Sequence, residues 1–209
     1  MTASTLGDLV VEIMDDLDRP DLEPQIRRGI AAAVRHFQPE RFAFNERILT
    51  FQTIPGADVY GKGDAPAIPG LYAIGSVVLV DGDQVCDLNR VAETWVESAD
   101  QPASEAQPCA YSYFDSTLRL WPVPCDAWTI RLSAHVKLDI PAEDDTPSAW
   151  FDEARDMISA RAKWHLALHV LKDAGLAAAM QVAFTEAFGT LRARANGIAS
   201  TGQIQAWNL

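Results

Sequence analysis

Cysteine is scarce in this chain and shows no pairing pattern. Cys86, Cys109 and Cys125 are odd in number and share no C-x-x-C spacing, which argues against a disulfide framework or a thiolate zinc site. They read instead as small buried apolar residues. Long apolar runs are also missing, and none approaches the roughly 18 residues of a membrane span. Positive charge is short: 17 Lys and Arg stand against 29 Asp and Glu, for a net charge of −12. A surface of that sign does not neutralise phosphates, so a conventional nucleic-acid groove is disfavoured. It suits solubility before assembly, and a surface that nucleic acid slides past without sticking. The opening stretch, MTASTLGDLVVEIMDDLD, lacks a basic signal-peptide region and turns acidic within a few residues, so synthesis and use in the cytoplasm are expected.

Recognisable catalytic patterns are lacking as well. Gly61-Lys62-Gly63 has neither the full spacing of a phosphate-binding loop nor a following Gly-Lys-Ser/Thr. Asp81 and Asp83 flank Gly82 without the remaining ligands of a twelve-residue calcium loop. His165 and His169, in HLALH, share a helical face as a zinc pair would. Leu166 stands where a zinc protease needs its general base, and no third ligand is evident. Ser148, Ser159 and the four histidines form no triad pattern. Glu143-Asp144-Asp145 reads as a solvated bend before a helix. No enzyme, cofactor or metal is therefore expected. A small soluble metal-assisted hydrolase using His165 and His169, and a generic cytoplasmic interaction module, are the alternatives.

What the chain does have is orderly periodicity over 209 residues, with 48% hydrophobic and 22% charged residues, enough for a sizeable core. Leu6, Val10, Ile13 and Leu17 place one apolar face on a helix over 5–17, with Thr5 as its cap. Leu22, Ile26, Ile30, Ala33, Val34 and Phe37 make the stripe of a second helix over 22–37. Arg27, Arg28 and Arg35 lie on or beside its polar face, either simply solvated or facing an acidic partner. Residues 41–53 alternate as a strand, a Gly- and Pro-rich loop follows, and 73–80 form a strong strand. Asp81-Gly82 then turns the chain into a hairpin partner at 84–88. Residues 91–98 fit a helical turn or an edge strand, and 99–108 form a polar loop. Two or three more strands fill 109–138, where Pro122 and Pro124 exclude a central ladder position. Trp128, Ile130, Leu132 and Val136 keep the two-residue period of a strand.

Beyond the acidic bend the period becomes helical. Thr146 is the expected N-cap and Pro147 the first helical residue. Trp150, Met157, Trp164, Leu168 and Leu171 form an apolar face with Arg161 interleaved. Gly175 allows a break, and a last helix over 176–195 points Leu176, Met180, Ala183, Phe184, Ala187 and Leu191 inward. Gly197 suits its C-cap. The polar segment beyond carries Ile198, Ile204, Trp207 and Leu209, either a frayed end or a tail that orders on a partner. The fold class is α+β: N-terminal helices (1–40) and C-terminal helices (141–196) pack into one helical bundle, an antiparallel β subdomain (41–140) is inserted between them, and 197–209 form an extended tail.

The opening TLGDLVVEIMDDLDRPDLEPQIRRGIAAAVRHF, the strand runs LRLWPVP and WTIRLSAHVKL, the acidic bend and the helix SAWFDEARDMISARAKWHLALHVLKDAG share a pattern and an order. In these features the chain resembles the head-to-tail adaptor (connector) proteins of tailed bacteriophages, including the tail tubular protein A type of short-tailed phages. That resemblance implies a virion structural protein, assembled in the host cytoplasm. It implies a ring of twelve copies beneath the portal protein, around a channel through which genomic DNA passes without specific binding. It also implies that the C-terminal segment embraces the portal, making Ile198, Ile204, Trp207 and Leu209 candidate portal contacts; Arg27 and Arg28, on a face that could meet an acidic partner, are further candidates. The β loops at about 54–72 and 99–108 would meet the next component, a tail nozzle or other distal tail protein.

Overall fold

The computed structural model describes residues 4–99, 105–141 and 143–199. In chain order the elements are α1 (Leu6–Leu17), α2 (Glu23–Phe37), β1 (Glu46–Gln52), β2 (Val59–Tyr60), β3 (Leu71–Asp81), β4 (Gln84–Asp87), β5 (Asn89–Arg90) and α3 (Glu93–Ala99). There follow β6 (Glu105–Ala106), β7 (Ala110–Phe114), β8 (Thr117–Trp121), β9 (Val123–Pro124), β10 (Thr129–Val136), α4 (Ala149–Glu153), α5 (Arg155–Leu166) and α6 (Ala174–Ala199). Helices and antiparallel sheets together make the fold α+β. The chain divides into two compact units, a helical one from Met1–Asn45 and Leu138–Leu209 and a β one from Glu46–Lys137.

In the helical unit α1 starts where Thr5 can cap it. The Thr5 hydroxyl accepts from Asp8 N, and the Asp8 carboxylate accepts from Thr5 N. These reciprocal bonds satisfy two of the amides left open at a helix start. The helix buries Leu6, Leu9, Val10 and Ile13. The expected stripe of α2 is buried in full, from Leu22 and Ile26 to Phe37. Both helices share a core with Trp150 and Phe151 of α4, Ala154 at the joint, and Met157, Ile158, Ala162 and Leu166 of α5. Burial of each large apolar side chain stabilises by about 1.5–3 kcal/mol.

Residues 42–44 belong to this unit and do not extend β1. Asn45 folds them into a turn: its Oδ1 accepts from Phe42 N at 2.9 Å, and its Nδ2 donates to Glu40 O at 3.0 Å. Phe42 and Phe44 then pack edge-on against Trp150, with ring centroids 6.1 and 5.1 Å away. The strand expected over 41–53 is therefore shorter, Glu46–Gln52.

The second half of the helical unit departs from the sequence expectation at three joints. Pro147 lies in an extended bridge with Thr5, so the cap moves on to Ser148, whose hydroxyl accepts from Trp150 N. The acidic bend is anchored: Asp144 O accepts from Gly7 N at 3.0 Å, and its carboxylate takes both terminal nitrogens of Arg27 at 2.5 and 2.7 Å. A Cβ at position 7 would meet Asp144 O at 3.2 Å, so glycine there permits the close approach. After α5 the chain widens into a π-turn over Ala167–Leu171, and Lys172 adopts the left-handed conformation. Asp173 accepts from Leu176 N at 2.9 Å and starts α6. The break thus falls before Gly175. At the far end α6 runs through Gly197 to Ala199. A glycine costs a helix only about 1 kcal/mol, too little by itself to stop it.

The β unit holds a four-stranded antiparallel sheet in the order β1-β10-β3-β4 and a second sheet in the order β2-β8-β7-β5. The β5–β7 and β6–β9 pairs are parallel. Phe51, Val77, Leu79, Ile130 and Leu132 of the first sheet are buried, as are Tyr60, Tyr111, Leu118 and Leu120 of the second. Of residues 91–98, which fit a helical turn or an edge strand in the sequence, 93–98 are helical and belong to α3. The three cysteines are not buried as expected but exposed free thiols: Cys86 sits on the edge strand β4, and Cys109 and Cys125 lie just outside strands.

One guanidinium organises the polar side of this unit. Arg119 on β8, only 17% exposed, pairs with Asp58 at 2.7 Å, with Glu93 of α3 at 3.0 Å, and with Glu97. The Ser112 hydroxyl donates to Glu93. That bond and then Arg119 hold the Glu93 carboxyl below its ordinary 4.5. Because its folded pKa is depressed, Glu93 contributes stability that is fully present above 4.5 and lost as the pH falls through the folded value. Arg119→Leu should cost about 3 kcal/mol at neutral pH, since it leaves carboxylates half-buried and uncompensated. Urea denaturation should show the gap between variant and native protein narrowing as the pH drops below 4.5. A gap that stays constant would remove Glu93 from the explanation.

Candidate interaction surfaces

The residues singled out in the sequence are dispersed. Ile204, Trp207 and Leu209 lie outside the described residues. Ile198 is in the last turn of α6 and 61% exposed. Arg27 is held by Asp144 and by Glu23, one helical turn earlier. Arg28 is exposed and donates to the carbonyl of Pro24 on its own helix at 3.3 Å. The arginines and Ile198 are thus carried by different helices.

The glycine loop at 61–63 is closed on itself. Gly61 N donates to Asp64 Oδ2 at 2.6 Å, and Gly61 O accepts from Ile68 N at 2.9 Å. A carboxylate of the chain occupies the amide that a phosphate would need. In the other loop, 105–106 form β6, and 100–104 lie outside the described residues.

His165 and His169 do come together, their ring centroids 4.6 Å apart. His165 Nδ1 is buried without a hydrogen-bond partner. Burial, then His169 and Arg161, push the His165 pKa below its ordinary value. Among the described residues no group of three or more His, Cys, Asp or Glu is arranged to hold a metal ion.

Two surfaces carry more organisation than the sequence showed. The outward side of α1 presents Asp8, Val11 and Asp15, directly opposite the buried Leu9 and Ile13. Val11 is 52% exposed. This stripe borders an open trough that also includes Ser4, Glu12, Asp16 and Arg155. Within it Glu12 pairs with Arg155 at 2.6 Å, and Asp16 pairs with Lys163.

The second surface lies between α5 and α6. The Arg161 guanidinium sits 3.9 Å from the Trp164 ring centroid and 4.9 Å from that of Phe184, a pair of cation–π contacts. Burial pushes its pKa down, and no carboxylate among the described residues forms an ion pair with it. His36 on α2 is close enough for Arg161 to help lower its pKa, after burial; nearby Glu40 acts on His36 in the opposite sense. The only trace of this site in the sequence is an arginine interrupting an apolar helical face.

No helix among the described residues is long and apolar enough to cross a membrane. No curated protein matches the chain. A model of the SU10 adaptor protein family matches residues 4–205, spanning both the helical and the β unit. With almost its whole length covered by that match, the chain belongs to the SU10 adaptor protein family.

Proposed function

We propose that this protein is a structural adaptor of the phage virion. In this reading twelve copies form a ring beneath the portal protein, join the packaged head to the tail, and line the channel taken by the genome during ejection. The observation that carries the reading is the family match over residues 4–205, which spans helices and β insertion alike. The pattern likeness to the tail tubular protein A type supports placing the ring at a head-to-tail junction, after assembly in the host cytoplasm. The C-terminal segment from Ile198 to Leu209 docks on the portal, with Arg27 and Arg28 as further candidates. The β unit and its loops at 54–72 and 99–108 face the distal tail protein. DNA passes without specific binding, since a chain of net charge −12 offers little to phosphates. The role is structural and not catalytic.

The tail gives the first test. Ile204, Trp207 and Leu209 are apolar groups on a short polar segment, and a buried aromatic at the centre of an interface is worth about 2 kcal/mol or more. Deleting residues 200–209, which leaves α6 whole to Ala199, should leave the melting temperature unchanged and strongly weaken retention on purified portal rings. Trp207→Ala should weaken it about 30-fold. Undiminished retention of the truncated chain would refute tail docking, and a fall in melting temperature would show that the tail packs on its own body.

The charge gives the second. Twelve copies at −12 each bring about −144 into one ring, so the portal must gather what repulsion disperses. Light scattering of the isolated protein at low salt should report a monomer or weak association. A stable ring at low salt without portal would contradict the template role.

A further inference from the structure

The two surfaces on the helical unit are complementary in charge and lie on different sides of it. Arg155, Ser159 and Lys163 form one row of α5 at i, i+4 and i+8, and this row faces α1: Arg155 and Ser159 bond to Glu12, and Lys163 to Asp16. Arg161 is two residues beyond Ser159, on the order of 200° around the helix, and it packs against Phe184 of α6. The face of α5 that carries Arg161 is therefore turned away from α1. Leu168, one further pair of turns along, is 41% exposed, and Lys172 is exposed at the end of the π-turn. On α1, Asp8, Val11 and Asp15 are exposed on the side away from the core; Asp8 accepts from Thr5 and feels the charge of Arg155, and neither Asp8 nor Asp15 forms an ion pair with a base among the described residues.

Each surface thus has an exposed aliphatic residue beside charges opposite to those of the other: Asp8 and Asp15 near Val11, where Arg155 is already paired with Glu12, and Arg161 and Lys172 near Leu168, where Asp173 already accepts from Leu176 N. Within one chain they cannot meet, because α5 lies between them. We propose that the acidic stripe Asp8–Val11–Asp15 of one copy docks against the Arg161–Leu168–Lys172 face of a second copy of this chain. The inference rests on the ring reading above and deepens it by assigning the contact between neighbours. Two different patches on each copy make a head-to-tail contact, the kind that generates a closed ring when its rotation closes. The uncompensated guanidinium, half-buried on two aromatic rings and without an acid of its own chain, gains in the neighbour the carboxylate it lacks. The overall negative charge keeps the contact weak in free solution. A template that holds neighbours at high effective concentration strengthens it without any new contact.

Disulfide capture in the full-length chain tests this. Cys86, Cys109 and Cys125 are changed to Ser, and Val11→Cys and Leu168→Cys are placed in separate chains, leaving every charge of both patches intact. On mixing and mild oxidation at high protein concentration, the mixed dimer should exceed either self-paired dimer at least tenfold, and a chain carrying both substitutions should give a ladder of covalent oligomers. Asp15→Arg in the Val11→Cys chain, or Lys172→Glu with Arg161→Glu in the Leu168→Cys chain, should suppress capture, and combining the reversed partners should restore it. Lys172→Glu alone, at an exposed position, should reduce capture even if Arg161→Glu fails to fold. Mixed dimers no more abundant than self-paired ones, or reversal without rescue, would overturn the assignment. If capture fails while copies of the native chain still gather on the portal, this contact is wrong and the ring reading stands. If no copies gather on the portal either, the ring reading fails with it.

Discussion

Two stretches of chain separated by the whole β insertion must bury the same apolar surface. Ile26, Ile30 and Val34 of α2 have no core without Trp150, Met157 and Ile158 of the last third of the chain, and all six are fully buried. Bringing such distant segments together has an entropic cost that grows with the length of the intervening loop. The β unit reduces that cost by its own topology. Its first and last strands, β1 and β10, are antiparallel neighbours with Glu46 paired to His135, so the chain leaves and returns within a strand spacing of roughly 5 Å. To the helices, the insertion acts as a short tether. Asp144 completes the join, bonded through its carbonyl to α1 and through its carboxylate to α2.

That constraint explains which parts of the fold the sequence displayed. Stripes with a strong period gave α1 and α2 almost to the residue, and the alternation from Trp128 to Val136 and the Asp81-Gly82 turn marked their strands. These features are local, written by each segment's own faces. Several of the misplaced features are set by partners distant in sequence, the others by neighbours the periodicity does not report. Thr146 has good cap chemistry, but Pro147 is held extended against Thr5, and the cap passes to Ser148. Residues 42–44 alternate like a strand, yet their phenylalanines are drawn to Trp150. Gly175 and Gly197 are natural breaks, but the side chain of Asp173 and the continuing length of α6 decide those ends. The cysteines looked like core by type alone and lie outside it.

The surfaces that bear on function were less legible. An acid-rich composition reports a net charge and says nothing of where charges gather. Placement on helices is what separates the inner acids of α1, each matched by a base on α5, from the outer ones that face away from the core. Arg161 looked like an interruption of an apolar face until Trp164 and Phe184 were seen around it. The histidine pair was visible from its spacing, but the sequence could not show that its neighbours are an arginine and aromatic rings. The family assignment rests on the match over residues 4–205, which takes in both units.

The proposed role requires that copies of this chain gather on a portal as a ring. Native mass spectrometry of the full-length chain, mixed in excess with the portal ring of its own virus, counts bound copies in steps of 22.9 kDa. Saturation at twelve copies with few partly filled rings is the expected result. Saturation at another number, or no bound copies at all, would contradict it.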